Sequence, residues 1–262
     1  MRKGELAPRI CAAVRNAYIR LMAFLQPQQS DPWTRQPMFR VPVVVLSLIA
    51  VLVVAHGARV LAPSALSAEL IRQYAFIPAR YSAAFLAAHN ADPGGWAARA
   101  IPFVSYMALH NDVTHLAINS LWLLAFGPIV ARRFGGALFL LFFLFCGLAG
   151  ALVHLAFNWG SLVPVIGASG AISGLMAAGL RLLPSQAPWA NAGEERMAPI
   201  FSRQILVFTL VWMGINIAAG MTGLGMGGEV GLIAWQAHLG GYLAGLFLAG
   251  PFDRLRPRIA AI

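Results

Sequence analysis

Residues 41–61 read VPVVVLSLIAVLVVAHGARVL. Eighteen residues pass before the first charge, Arg59, and most of them are aliphatic. A hydrocarbon core about 30 Å thick is crossed by about 20 apolar residues in helical form. In lipid the backbone must bond to itself, so a run of this kind is read as a transmembrane helix.

The remaining sequence repeats the pattern. Further runs cover about 113–130, 136–157, 168–183, 205–221 and 234–249, and the fourth is short for a span. The 262 residues are 59% hydrophobic and 11% charged, with a mean hydropathy of +0.72. A soluble domain carries about 25% charged residues. The expectation is an all-α, polytopic membrane protein of six transmembrane helices, with the lipid bilayer as its solvent. Residues 1–40 form a basic N-terminal tail in which ICAAVRNAYIRLMAFL reads as an amphipathic surface helix. Arg9, Arg15 and Arg20 interrupt the first 25 residues, which argues against a cleavable signal peptide. Residues 41–251 form the membrane domain, 62–112 a long loop, and 252–262 a short basic tail.

Charge orients the bundle. With the N-terminus cytoplasmic, 15 of the 19 Lys and Arg residues fall on the inner side, leaving Arg59, Arg72, Arg80 and Arg99 outside. The positive-inside rule gives N-in and C-in, with loop 62–112 on the outer face. The net charge of +10 is thereby explained as topogenic, and because it forms no single stripe no nucleic acid is expected. Cys11 and Cys146 form no CxxC pair or disulfide framework.

The first residues of spans two, four and six then lie at the outer side, and each carries polar groups. Span two opens with LHNDVTHLAINS (109–120), span four with GASGAISG (167–174) and span six with AWQAHLGGYLAG (234–245). His115 and Asn119 are four apart and share a helix face. Taken alone, GASGAISG reads first as small residues that let helices approach closely. His56 and His154 read as satisfied interior groups, and Asn111 and Asp112 as helix-capping residues. Convergence at one depth shifts the reading, because intramembrane polar groups usually face a cavity.

Such a set suits acyl transfer. A serine hydroxyl attacks once a histidine takes its proton, and the resulting oxyanion needs preorganised donors. Ser169 at a helix start offers an unpaired backbone N–H, and His115 and Asn119 offer side-chain donors. Gly167 and Gly170 leave room for close approach. Spans two to six hold no acid apart from the capping Asp112, so the site is expected to be a Ser–His dyad. No cofactor is implied. Metal binding is the rival use of the histidines, but His110 and His115 are five apart and lack carboxylate or thiolate partners.

At these residues the sequence resembles the rhomboid family of intramembrane serine proteases, as found in bacteria. The family's GxSG motif corresponds to Gly167-Ala168-Ser169-Gly170, AHxxGxxxG to Ala237-His238 with Gly241 and Gly245, and HxxxxHxxxN to His110, His115 and Asn119. The likeness runs from about Tyr74 to Gly250. It implies Ser169 as nucleophile and His238 as general base. His115 and Asn119, with the Ser169 N–H, would form the oxyanion hole, and His110 would support them. It further implies a wet cavity opening outward from the cytoplasmic (inner) membrane, the stretch MTGLGMGGEVG (221–231) as a mobile cap, and entry of a substrate helix between spans two and five. Three departures stand out. Ile101-Pro102 replaces a Trp-Arg pair, Ala131 replaces a glutamate, and Ser173 replaces an aromatic ring. The implied activity is endoproteolysis of membrane-anchored protein substrates. Its alternative is a silent rhomboid-like protein that binds transmembrane helices. A transporter would be expected to show intramembrane acids or a repeat.

Overall fold

The computed structural model describes residues 41–92, 94–183, 197–222 and 234–256. The basic tail 1–40, most of the Gly-rich cap stretch and the last residues of the C-terminal tail lie outside the described residues.

Pro42 stands at the N-cap of α1 (Val43–Leu61), where its missing N–H costs no helical bond. Pro63 repeats this before α2 (Ser64–Tyr74). The long loop continues through three short helices: α3 (Ala83–Ala88), α4 (Trp96–Ala100) and α5 (Pro102–Ser105). Two 3₁₀ turns, Pro78–Tyr81 and Tyr106–Ala108, complete it. Asp112 caps α6 (Val113–Phe134) by accepting the His115 N–H at 2.8 Å. Gly135, at φ +80°, is the hinge between α6 and α7 (Gly136–Phe157). Then follow α8 (Ser169–Leu182), α9 (Arg203–Thr222) and α10 (Trp235–Leu255).

Among the described residues, α1, α6, α7 and α9 are long and apolar enough to cross a membrane. The expected fourth and sixth spans correspond to α8 and α10. At about 1.5 Å per residue, the 14-residue α8 is too short to cross alone. It is walled by protein rather than by lipid, with 12 of its 14 residues buried, packed between α6, α7 and α10. A helix walled by protein needs small side chains more than lipid-facing ones. Hence the glycines: a Cβ on Gly241 would overlap the Gly170 carbonyl, and one on Gly245 the Gly174 carbonyl. The backbones of α8 and α10 touch along this line.

Packing is uneven. In its most apolar window, 39% of α7 is buried but only 11% of α9, which leans mainly on α10. At the far end from Ser169, Arg133 of α6 grips Asp253 with two hydrogen bonds of 2.6 and 3.0 Å. Helix α10 therefore continues through residues 252–255, which the sequence suggested as tail.

The long loop is fixed rather than loose. Phe76 and Val165 exchange backbone bonds of 3.0 and 2.8 Å in an isolated antiparallel bridge. Phe76 also packs its ring on Tyr81, Phe103 and Tyr106. Arg80 donates to the carbonyls of Arg72, Gln73 and Ala98. These contacts anchor the loop where Ile101-Pro102 departs from the family's Trp-Arg pair.

Candidate active site

Ser169 is the first residue of α8, so its N–H has no acceptor within the helix. The turn that delivers it runs through Gly167 at φ +114°, a conformation that suits glycine. A Cβ there would lie 2.8 Å from the His115 Cε1 and Nε2 atoms, so the glycine also makes room for that ring. The Gly167 N–H donates to the Tyr106 carbonyl at 2.9 Å, and the Tyr106 hydroxyl donates to the Gly147 carbonyl at 2.8 Å. Buried Tyr106 thus ties the serine's turn to α7.

His238 lies one turn into α10. Its Nε2 is 2.7 Å from Ser169 Oγ, across 69 residues of chain. Its Nδ1 is 2.5 Å from Oδ1 of Asn216 on α9. Both His238 and Ser169 line a cavity of about 410 Å³, together with His115, Asn119, Gly167 and Gly170. The structure brings six of the seven residues expected from the sequence to this one cavity.

The seventh, His110, stands behind it. It is fully buried, and its ring meets that of His115 edge-on at 5.1 Å between centroids. Burial, reinforced by His115, lowers its pKa to about 4. Arg59, in the last turn of α1, holds the segment before α6, donating to the carbonyls of His110 (2.8 Å) and Asn111 (2.9 Å) and to Ser67 Oγ (3.2 Å). The His115 backbone N–H holds the part-exposed Asp112 carboxyl below the usual carboxylate range.

The two side-chain donors differ in readiness. His115 Nδ1 accepts the Asn111 N–H at 3.4 Å, which leaves the ring proton on Nε2, on the Gly167 side. Asn119 Nδ2 donates to the His115 carbonyl at 2.9 Å, and its second N–H remains for the cavity. Asn119 Oδ1 is buried without a partner. Ser173, where several rhomboids place an aromatic ring, instead donates to the Ser169 carbonyl at 2.8 Å. Of the two histidines read as interior, His56 reaches the His110 carbonyl at 3.2 Å but leaves Nε2 unpartnered, and His154 lies 3.4 Å from Asn158. Among the described residues, no group of three His, Cys, Asp or Glu side chains is arranged to hold a metal.

Sequence reasoning missed Asn216, Tyr106 and Arg59. Asn216 had a signal: it is an amide in the middle of VWMGINIAAG, where lipid would exclude it.

The model of the Rhomboid domain matches residues 97–253, more than half of the chain. The chain belongs to the rhomboid family. This rhomboid is 34% identical over 143 residues to rhomboid protease GluP of Bacillus subtilis (strain 168), covering 55% of this chain and 24% of that protein. It is 30% identical over 148 residues to RHOMBOID-like protein 6, mitochondrial, of Arabidopsis thaliana, covering 55% of this chain and 41% of that protein. The match therefore spans less than half the length of either relative. With four helices long and apolar enough to cross a membrane among its described residues, this rhomboid is a multi-pass membrane protein.

Proposed function

We propose that this rhomboid is a serine endopeptidase that cleaves membrane-anchored proteins within or beside a transmembrane helix. The observation that carries the reading is the 2.7 Å contact between His238 Nε2 and Ser169 Oγ inside the cavity. In this reading the bundle has six spans with both termini cytoplasmic, in the cell's inner membrane, and the cavity opens to the outer side. Residues 41–251 make the membrane domain, flanked by the basic tails.

Ser169 Oγ attacks the scissile carbonyl carbon while His238 Nε2 takes its proton. The carbonyl π pair moves to oxygen, and that oxyanion is met by the Ser169 N–H, the His115 Nε2–H and the free Asn119 N–H. Collapse breaks the C–N bond, and His238 returns the proton to the departing amine. Water then attacks the acyl-enzyme with His238 as base, releasing the new carboxyl group and restoring Ser169. A helical substrate must unwind locally, since its intrahelical bonds shield the carbonyl. Helix-weakening Gly or Pro near the outer leaflet is therefore favoured. Entry runs between α6 and α9, where Trp122 and Trp212 meet edge to face at 5.8 Å.

The test is fluorophosphonate labelling of the detergent-solubilised full chain. Labelling of wild type, abolished in Ser169→Ala and His238→Ala, is expected. Equal labelling of wild type and Ser169→Ala would leave a silent helix-binding rhomboid as the better reading.

A further inference from the structure

Resting on that reading of Ser169 and His238, we propose that Asn216 is a positioning residue: it sets the tautomer and the orientation of the His238 imidazole. The site is then a Ser–His–Asn relay carried on α8, α10 and α9, where the sequence suggested a dyad.

The geometry is specific. Asn216 is 5% exposed, on the least buried of the four long apolar helices. Its Nδ2 donates to the Trp212 carbonyl, one turn back, at 2.8 Å. That bond orients the amide so that Oδ1 points away from its own helix, to His238 Nδ1 at 2.5 Å. An amide oxygen can only accept. Nδ1 must then carry the ring proton, and a neutral imidazole has only one. Nε2 is left as a lone pair facing the Ser169 hydroxyl, which donates to it across 2.7 Å. The other tautomer would set two lone pairs against each other at 2.5 Å and place an N–H against the nucleophile. When the imidazole becomes cationic during attack, both ring nitrogens donate, and the amide dipole supports the charge without adding a buried carboxylate. The other titratable and charged groups on the cavity wall are His115 of α6 and its capping Asp112, Arg59 of α1 and the buried Tyr106.

The test has two readouts on the full chain in detergent. The first is the ¹⁵N spectrum of histidine-labelled protein, with the His238 signal assigned by its loss in His238→Ala. Wild type is expected to show the Nδ1–H tautomer and Asn216→Ala a mixture; an Nε2–H form in wild type overturns the proposal. The second is the rate of fluorophosphonate labelling against pH. Asn216→Ala is expected to label about 10- to 100-fold more slowly with an unchanged melting temperature. Asn216→Asp should recover most of the rate, with the acid limb of the profile moved upward, because a carboxylate favours the cationic ring. A wild-type rate in Asn216→Ala, or a loss that Asn216→Asp leaves unrestored in a folded protein, also overturns it. Labelling that ignores Ser169 would overturn the protease reading instead, and the tautomer measurement still stands by itself because it needs no activity.

Discussion

His110 carries a cost that can be measured. It is wholly buried, and its ring nitrogens make no close hydrogen bond. Its pKa is lowered to about 4 in the folded protein, from an ordinary 6.5. A depressed base binds fewer protons folded than unfolded, so stability is complete above pH 6.5 and drains away as pH falls toward 4. The apparent melting temperature in detergent is expected to drop by several degrees (~5 °C) between pH 7 and pH 5. His110→Gln should flatten that slope; an equally steep slope in the variant would assign it to other groups. Asn119 makes the opposite case. Its one hydrogen bond is to its own helix, so Asn119→Ala should leave the melting temperature nearly unchanged. On the proposed reading it is an oxyanion donor, and its loss should slow cleavage of a transmembrane reporter by about 10-fold or more. A large loss of stability would make it a packing residue.

Among the elements, the α8–α10 contact is the least forgiving. Gly241→Ala sets a methyl into the Gly170 carbonyl, and backbone cannot step aside as a side chain can. Overpacking of this kind costs about 1–3 kcal/mol or more, and poor yield of folded protein is expected. Gly250→Ala, on the same helix with open space beyond it, should be neutral or slightly stabilising. Equal effects from both would mean that helix propensity, not contact, governs α10. The long elements were legible because each of α1, α6, α7 and α9 is a run of apolar residues that only a helix can carry through lipid. The ends moved by a few residues, as with α10 reaching Leu255 through the Arg133–Asp253 pair. The residues on α6, α8 and α10 were legible because polar groups in apolar spans announce themselves. Asn216 announced itself equally, but pairing it with His238 depends on how α9 is rotated toward α10. No residue spacing within one helix encodes that rotation. The short helices of the loop were hidden for a similar reason: Phe76, Tyr81, Phe103 and Tyr106 order them through contacts between distant parts of the chain.

At the scale of the whole molecule, charge makes a claim that packing does not. The excess of Arg and Lys on one side predicts that a fluorescent protein fused after residue 262 glows in the cytoplasm. Alkaline phosphatase inserted near residues 92–95 should be active outside. An inactive phosphatase and a dark fusion would invert the bundle and turn the cavity inward. The bridge between Phe76 and Val165 adds a mechanical consequence. A loop stapled to the strand of backbone that delivers the nucleophile cannot act as the door, because lifting it would drag the serine out of register with its base. It is a lintel. On the proposed protease reading a substrate then comes through the opposite wall, the one that also holds the imidazole's partner, so opening the passage and arming the chemistry would be competing uses of a single helix.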